Sequence, residues 1–324
     1  MKRGGDPQRF LHHYTALTAV MTFVLLVAGG LVTSTDSGLA VPDWPLSYGM
    51  WFPPMVGGIL YEHGHRMIAA TVGLMIVGLA VWLWRVEPRR WVRRLGYAAV
   101  GAVILQGLLG GLTVLLLLPP QVSIAHATLG PTVFCLVVCL SQATAPSRAA
   151  RLEHSEDAGW PSPAASGTPE AAAIGAAAEC RARGRPAFGD HSFRCGARLG
   201  RPSLRVLGVA LAALAVLQLV LGAIVRHAGG GVTWHVAGAA CLLATWAWMM
   251  QRIHRLHSLG QSLRSCAARL GWLLMLQLAL GGLAWWHRAH VGVVTLHVGM
   301  GSLVLAQAVL LAWQSVRDAE QVTG

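Results

Sequence analysis

Eight apolar segments, most of them about 20 residues long, constrain this chain more than any other feature of its sequence. A hydrocarbon core about 30 Å thick requires roughly 20 apolar residues per helix. Because lipid offers no partner to an unpaired backbone group, such segments cross the membrane as helices and not as open strands. The sequence therefore predicts an all-α polytopic membrane protein, with spans near residues 15–34, 63–84, 95–117, 122–143, 204–225, 232–250, 270–286 and 291–313.

The placement of positive charge predicts the orientation of the chain in the membrane. The formal net charge is +12. If both termini lie on the same side of the membrane, 22 of the 25 Lys and Arg residues fall on that side. The exceptions are Arg66, Arg226 and Arg288. The positive-inside rule then predicts cytoplasmic N- and C-termini in a bacterial-type plasma (inner) membrane. Charge arranged in this way does not indicate nucleic acid as a partner.

Residues 146–203 differ in composition from the rest of the chain. They are rich in Ala, Arg, Gly, Pro and Ser and have no apolar period, which predicts a cytoplasmic linker that is disordered in large part. This linker divides the chain into residues 1–145 and 204–324, with four spans in each. The cysteines do not indicate a disulfide framework. Cys180 and Cys195 lie in the linker, Cys266 lies in an inner connection, and the three in spans are Cys135, Cys139 and Cys241.

A two-helix unit recurs four times and places one histidine at the same depth in each copy. Three odd-numbered spans carry a Gln and a Gly four residues apart, which share one helix face. The first span keeps the glycines Gly29 and Gly30 but has Leu25 in place of the Gln. The Gln–Gly pairs of the other odd-numbered spans are Gln106/Gly110, Gln218/Gly222 and Gln277/Gly281. The histidines that open the even-numbered spans are His65, His126, His235 and His297.

Ionisable side chains at membrane depth are rare and usually functional, although a single histidine can also serve as a hydrogen-bonding residue between helices. Zinc requires three or four convergent protein ligands, and a di-iron site requires several glutamates. One histidine from each of two facing helices, with glycines beside it, suits a flat macrocycle instead. The sequence predicts two heme sites, with His65 and His126 on one iron and His235 and His297 on the other.

The two halves differ around the first of these sites. Glu62 and Arg66 flank His65, and no charged residue occupies the equivalent positions of the other copies. A simple ion pair between Glu62 and Arg66 is the alternative to a catalytic role. A long loop over residues 33–57 also belongs to the first half alone, as functional lids often do. We therefore predict chemistry in the first half and electron transfer in the second.

The remaining histidines are predicted to be structural or solvated. His63 is next to the ligand region but on another helix face. His227 and His290 lie in outer turns, where either could contact a heme propionate.

These features together resemble the heme A synthase family along all eight spans, leaving out the linker and the tails. As a set the matching motifs are specific, although no single one is. They are the run Gly29 to Leu39, the turn Asp43-Trp44-Pro45, the motif Glu62-x-x-His65-Arg66, the run Gln106 to Thr113 and the four span histidines.

The resemblance implies two pseudo-symmetric four-helix bundles and an oxidoreductase that converts the C8 methyl of heme O to a formyl group, giving heme A for terminal oxidases. It implies that His235 and His297 hold heme B as a cofactor, and that His65 and His126 hold heme O as the substrate. Glu62 would then be required for the oxidation, and Arg66 would position a propionate. Expected partners are a heme O synthase, oxidase-assembly proteins, an electron donor and further copies of the chain.

The sequence departs from the family in two places. Many relatives carry a cysteine pair in the first outer loop, where this chain has Val41 and Ser47, so a thiol pair has no role here. The linker is also longer than usual. Two other functions stay open: a di-heme cytochrome b that relays electrons, and a transporter built on repeats.

Overall fold

The computed structural model describes residues 7–146, 191–256, 261–286 and 290–320. Apart from one isolated bridge between Ser47 and Met50, all regular structure in these residues is helical. Eight helices are long and apolar enough to cross a membrane, which confirms the predicted fold. We number them α1 (Pro7–Ser34), α2 (Gly58–Val86), α3 (Arg90–Leu115), α4 (Pro120–Thr144), α5 (His191–Ala228), α6 (Val232–Arg255), α7 (Gln261–Trp286) and α8 (Val291–Glu320).

Two predicted boundaries differ from the observed helices. Helix α7 begins at Gln261 and not near residue 270, so Cys266 is a buried helical residue and its placement in a connection was wrong. The arginines of this first stretch interrupt the apolar pattern, but Arg264 donates to the Leu256 carbonyl at the end of α6 and the helix continues past it. Helix α5 begins at His191, inside the segment predicted as linker, whereas residues 147–190, including Cys180, lie outside the described residues.

Each half of the chain arranges its four helices in a closed ring. In the first half, α1 packs on α2, α2 on α3, α3 on α4, and α4 returns to α1. The second half repeats this order, since α5 packs on α6, α6 on α7, α7 on α8, and α8 returns to α5. In both halves, this order places a helix with a glycine near its C-terminal end beside a helix with a histidine near its N-terminal end.

The two rings meet through α4 and α1 of the first and α5 and α8 of the second. Phe134 of α4 is buried in a cluster formed mainly by residues of the second half, and its ring lies 5.8 Å from that of Phe23 in α1. Farther toward the linker side, the Trp91 and Trp313 rings meet edge to face at 5.7 Å. These apolar contacts join the halves where no polar group has to be satisfied.

Among the connections that the structure describes in full, the longest is the α1–α2 connection, which we call the outer loop (residues 35–57). The α5–α6 turn needs only Gly229 to Gly231, and two of its glycines take positive φ values of 71° and 83° that other residues rarely adopt. The outer loop is therefore the main non-helical part of the described chain, and it lies on the side of the membrane where the histidines are.

Shortening Phe134 to Ala should weaken the contact between the halves. The cavity and the lost van der Waals contacts should cost about 2 kcal/mol or more, so the apparent Tm in detergent should fall by several degrees. Leu74→Ala is the control, because Leu74 is 74% exposed on the lipid-facing side of α2 and its loss leaves no cavity. Equal melting temperatures for the two variants would contradict the buried role of Phe134.

Candidate functional site

The four predicted ligand histidines occupy equivalent positions, each against a glycine of the preceding helix. A Cβ atom built on that glycine would lie 3.0 or 3.1 Å from the imidazole Cε1 in every copy. Such a contact is tighter than nearly all real Cβ contacts, so the missing side chain is what allows each ring to approach the neighbouring backbone. The four pairs are Gly29–His65, Gly110–His126, Gly222–His235 and Gly281–His297.

A second repeated contact fixes the histidine-bearing helices through the Gln residues. The Gln106 amide donates to the His126 carbonyl at 3.0 Å, and the Gln218 amide donates to the His235 carbonyl at 2.9 Å. The Gln277 amide lies 3.4 Å from the His297 ring nitrogen. In each case the amide oxygen is buried without a partner among the described residues. The first copy has Leu25 instead and therefore lacks this amide contact.

The separation of His235 and His297 fits two ligands on one metal atom. Their ring centroids lie 6.4 Å apart. A metal–imidazole bond of about 2 Å, with roughly 1 Å more from each nitrogen to its ring centre, would allow two imidazoles on one metal atom to have their centres about 6 Å apart. Among the described residues no group of three or more His, Cys, Asp or Glu side chains could hold a metal ion. A metal at this place would have to bring its other ligands, as heme iron does.

His65 of α2 and His126 of α4 occupy the corresponding positions of the first half. The Nδ1 atom of His126 lies 3.2 Å from the Gln106 carbonyl. The backbone of Leu25 lies in the equivalent place beside the His65 ring. The residue types and the glycine cradle are those of the second half, so the first half fits the same kind of group.

Glu62 is a buried carboxylate, 3% exposed, and both of its oxygens are engaged. Oε1 accepts from the Arg66 guanidinium at 2.5 Å, and Oε2 accepts from the Val41 backbone N–H at 2.8 Å. A buried carboxylate without such partners would be strongly unfavourable. The ion pair considered as an alternative is therefore present, and it holds Glu62 in one position three residues before His65.

Arg66 joins this carboxylate to the outer loop. Besides Glu62, its guanidinium donates to the backbone carbonyls of Asp43 at 2.7 Å and Leu46 at 2.9 Å, and it reaches that of Val41 at 3.5 Å. Arginine suits this task because its planar group presents several donors at once. All the contacts that the structure describes for Arg66 are made to the loop and to Glu62, so its contact with a propionate stays a prediction.

A buried contact between Ser47 and His63 was not anticipated from the sequence. The Ser47 hydroxyl lies 2.7 Å from His63 Nδ1, and both residues are buried. The sequence alone predicts a structural role for His63, and no local sequence pattern links Ser47 in the loop to His63 in α2. Consecutive residues of α2, Glu62 and His63, therefore each hold one point of the outer loop, at Val41 and Ser47.

The outer loop closes over the ends of α2 and α3. The indole of Trp44 fits against Gly111, where a built Cβ would come within 2.7 Å of the ring. The Asp43 carboxylate accepts from the backbone N–H groups of Tyr48 and Gly49 at 2.6 and 2.8 Å. The hydrogen bond from Gly49 above all, with that from Tyr48, holds the pKa of Asp43 below its ordinary value. The loop is thus fixed by its own turn as well as by α2.

Contacts between α1 and the second half pass close to both sites. Gly30, next to the glycine that receives His65, lies against Thr295, two residues before His297. The Arg226 guanidinium at the end of α5 donates to the Thr33 carbonyl of α1. No direct role in a site follows for His227 or His290 from the described contacts, so their propionate contacts stay predictions.

Comparisons with known proteins agree with these features over the first half of the chain. The profile of the COX15-CtaA family, described as a cytochrome oxidase assembly protein, matches residues 12–58 and 55–162. A protein named heme A synthase from Alkalihalophilus pseudofirmus is 39% identical over 101 residues, 30% of this chain and 34% of the relative. One of the same name from Symbiobacterium thermophilum is 37% identical over 127 residues, 39% of this chain and 40% of the relative.

A further relative carries a different name: a protoheme IX farnesyltransferase from Halobacterium salinarum is 33% identical over 127 residues, 39% of this chain and 28% of the relative. The chain thus spans between about a quarter and two fifths of the length of these relatives.

The turn that Asp43 holds should loosen in acid. Because the folded-state pKa of Asp43 is lowered, its stabilising effect is complete above the unfolded value of about 3.9 and is lost as the pH falls through the folded pKa. Hydrogen exchange at Tyr48 and Gly49 in Asp43→Asn should be roughly two- to fivefold faster than in wild type at pH 7. The ratio should fall toward one as the pH drops below the lowered pKa of Asp43, and a ratio independent of pH would contradict this role.

Proposed function

We propose that this chain, whose residues 12–58 and 55–162 match the COX15-CtaA family of cytochrome oxidase assembly proteins, is a heme A synthase. In this proposal His65 and His126 hold the substrate, heme O, and the first half oxidises its C8 methyl to a formyl group. The relatives named heme A synthase support the proposal, although each match covers only part of either chain.

The observation that carries this proposal is the buried carboxylate in one half alone. Both halves present a histidine pair in a glycine cradle, but only the first places a buried Glu within one helical turn of a ligand. A protein that merely relays electrons needs two similar sites and has no use for Glu62, Arg66 and a fastened loop. The asymmetry therefore favours chemistry at His65 and His126.

The chemistry defines what the protein has to supply. Oxidising a methyl group to a formyl group removes four electrons. If water and not O₂ supplies the oxygen, four protons are released as well, and the site then needs an electron acceptor and a proton acceptor. Glu62 is the proton acceptor in this proposal, since it is the described carboxylate nearest to His65 along α2. Its backbone partner Val41 and its ion pair with Arg66 keep the carboxylate in place while the substrate enters and leaves.

The second half would hold heme B between His235 and His297, and that group when bound supplies one-electron acceptance. The residues around it do the positioning: Gly222 and Gly281 let the rings approach, and Gln218 fixes the helix that carries His235. The half contains no equivalent of Glu62, which suits a site that passes electrons without handling protons.

Further features of the proposal concern the surroundings of the protein. The excess of Lys and Arg on the linker side supports cytoplasmic termini in a bacterial-type plasma membrane. An enzyme that makes heme O would supply the substrate, and the similarity to a protein named protoheme IX farnesyltransferase supports a partner of this kind. An electron donor or acceptor, oxidase-assembly partners and self-association complete the expected partners.

Co-expression with a heme O synthase, followed by extraction and mass analysis of the hemes, tests the activity. Wild type should produce the formyl product. Glu62→Gln should still bind heme but lower product formation at least about 100-fold, as loss of a general base does. The matched control is Glu87→Gln, which alters another buried, arginine-paired Glu at the opposite end of α2 and should retain activity.

Two outcomes of that experiment would overturn the proposal in different ways. Bound heme O that wild type leaves unconverted would favour the di-heme cytochrome b. Conversion at the wild-type rate by Glu62→Gln would keep the enzyme but remove Glu62 from its mechanism.

The glycine cradle of the second half allows a test of its own. Gly281→Ala places a Cβ 3.0 Å from the His297 ring and should displace it, whereas Gly282→Ala meets nothing within 4 Å. We expect heme B content, measured from the pyridine hemochrome spectrum, to fall severalfold in the first variant and to match wild type in the second. Equal heme content in both variants would show that His297 does not depend on this contact.

A further inference from the structure

The outer loop has a second side that the site does not use. Its inner side is polar and is held by Glu62, His63 and Arg66, as described above. Its outer side presents large apolar side chains, among which Trp51 and Phe52 are 75% and 79% exposed. The others are also well exposed. We call this set the apolar edge, and it consists of Tyr48, Met50, Trp51, Phe52, Met55 and Val56.

The sequence around the apolar edge carries no charge. Between Asp43 and Glu62, all 18 residues are uncharged. An exposed segment of a water-facing loop normally includes charged residues, which keep it soluble and prevent association. Contiguous exposed apolar surface instead marks contact with a membrane or with a protein. Trp and Tyr in particular favour the boundary between lipid and water, because their rings are apolar and carry one polar group.

The position of the apolar edge favours the membrane over a protein partner. It ends two residues before α2 begins, and α2 continues with an exposed apolar stripe that repeats every seven residues. Because seven residues make about two helical turns, these side chains lie on one face, which is the face that meets lipid. The stripe consists of Leu60, Met67, Leu74 and Val81. The apolar edge thus continues the exposed apolar face of a helix that is long and apolar enough to cross a membrane.

We propose that residues 48–56 insert into the interfacial layer of the bilayer and anchor the outer loop there. The backbone of this segment makes the turn at Asp43 and the bridge between Ser47 and Met50, so its polar groups near the surface are partly satisfied before insertion. No Lys or Arg takes part, and insertion therefore depends on apolar contact and not on anionic lipid. It should be insensitive to salt and to headgroup charge.

Anchoring on the outer side complements the contacts on the inner side. Arg66 and the Ser47–His63 pair attach the loop to α2, while Trp51 and Phe52 attach it to lipid. The loop would then be held on both sides as a fixed cover over the end of the first bundle. This inference rests on the fold and the exposed residues and does not require the proposed enzymatic function.

The unmodified chain in lipid nanodiscs provides the first test. Phospholipids that carry a diazirine near the glycerol end of the acyl chain are activated by light, and the labelled peptides are mapped by mass spectrometry. Residues 50–56 should be labelled as strongly as the lipid-facing part of α2 around Leu74, at low and high salt alike. Labelling of α2 without any labelling of residues 50–56 would overturn the proposal.

Depth-dependent quenching provides the second test and includes matched controls. Trp51→Cys, Leu74→Cys and Gln121→Cys are made in a chain without its native cysteines and labelled with an environment-sensitive dye. Gln121 is an exposed polar residue at the start of α4 on the same side of the membrane, and Leu74 is exposed to lipid. Doxyl lipids should quench the dye at residue 51 at least about twofold more than at residue 121, with iodide showing the reverse order. Iodide quenching at residue 51 equal to that at residue 121 would mean a water-exposed or protein-binding surface and would overturn the proposal.

Discussion

The close approach of a glycine backbone to the imidazole of the next helix determines much of this structure. It occurs once in each pair of helices, with a spacing that leaves no room for a Cβ. Lipid does not drive helices together as water does, so small residues that allow close approach are the usual basis of helix association in membranes. Here the same residues also orient the histidines. Packing and ligand placement therefore rest on one contact, repeated four times along the chain.

The first half adds charged groups to this common plan. Burying a charge within a membrane costs free energy unless the charged group has partners. Glu62 and Arg66 are satisfied by one another and by the backbone of the outer loop. Without that loop the guanidinium would lose its carbonyl acceptors and the carboxylate would lose a donor. The loop is thus a structural requirement of a buried charge pair as much as a cover, which explains why loop and charges occur together in one half and are both missing from the other.

The parts of this arrangement that could be predicted are those with a regular pattern. Eight spans follow from hydrophobicity, and the histidines from a repeat that recurs at each pair of helices. The contacts of Arg66 could not be predicted, because their acceptors are backbone carbonyls whose positions depend on the loop. Ser47 and His63 lie 16 residues apart and belong to no pattern. Helix α7 begins early because Arg264 finds an acceptor at the end of α6, a contact that composition does not reveal.

Helix α1 gives the two bundles a shared wall. Gly29 receives His65 of the first site, and the next residue, Gly30, packs against Thr295, close to His297 of the second. Two consecutive backbone positions on one helix thus face opposite sites. A rotation of α1 by a fraction of a turn would change its packing against His65 and against Thr295 together. The halves repeat one another in plan, yet along this one helix they share a backbone and do not pack as independent modules.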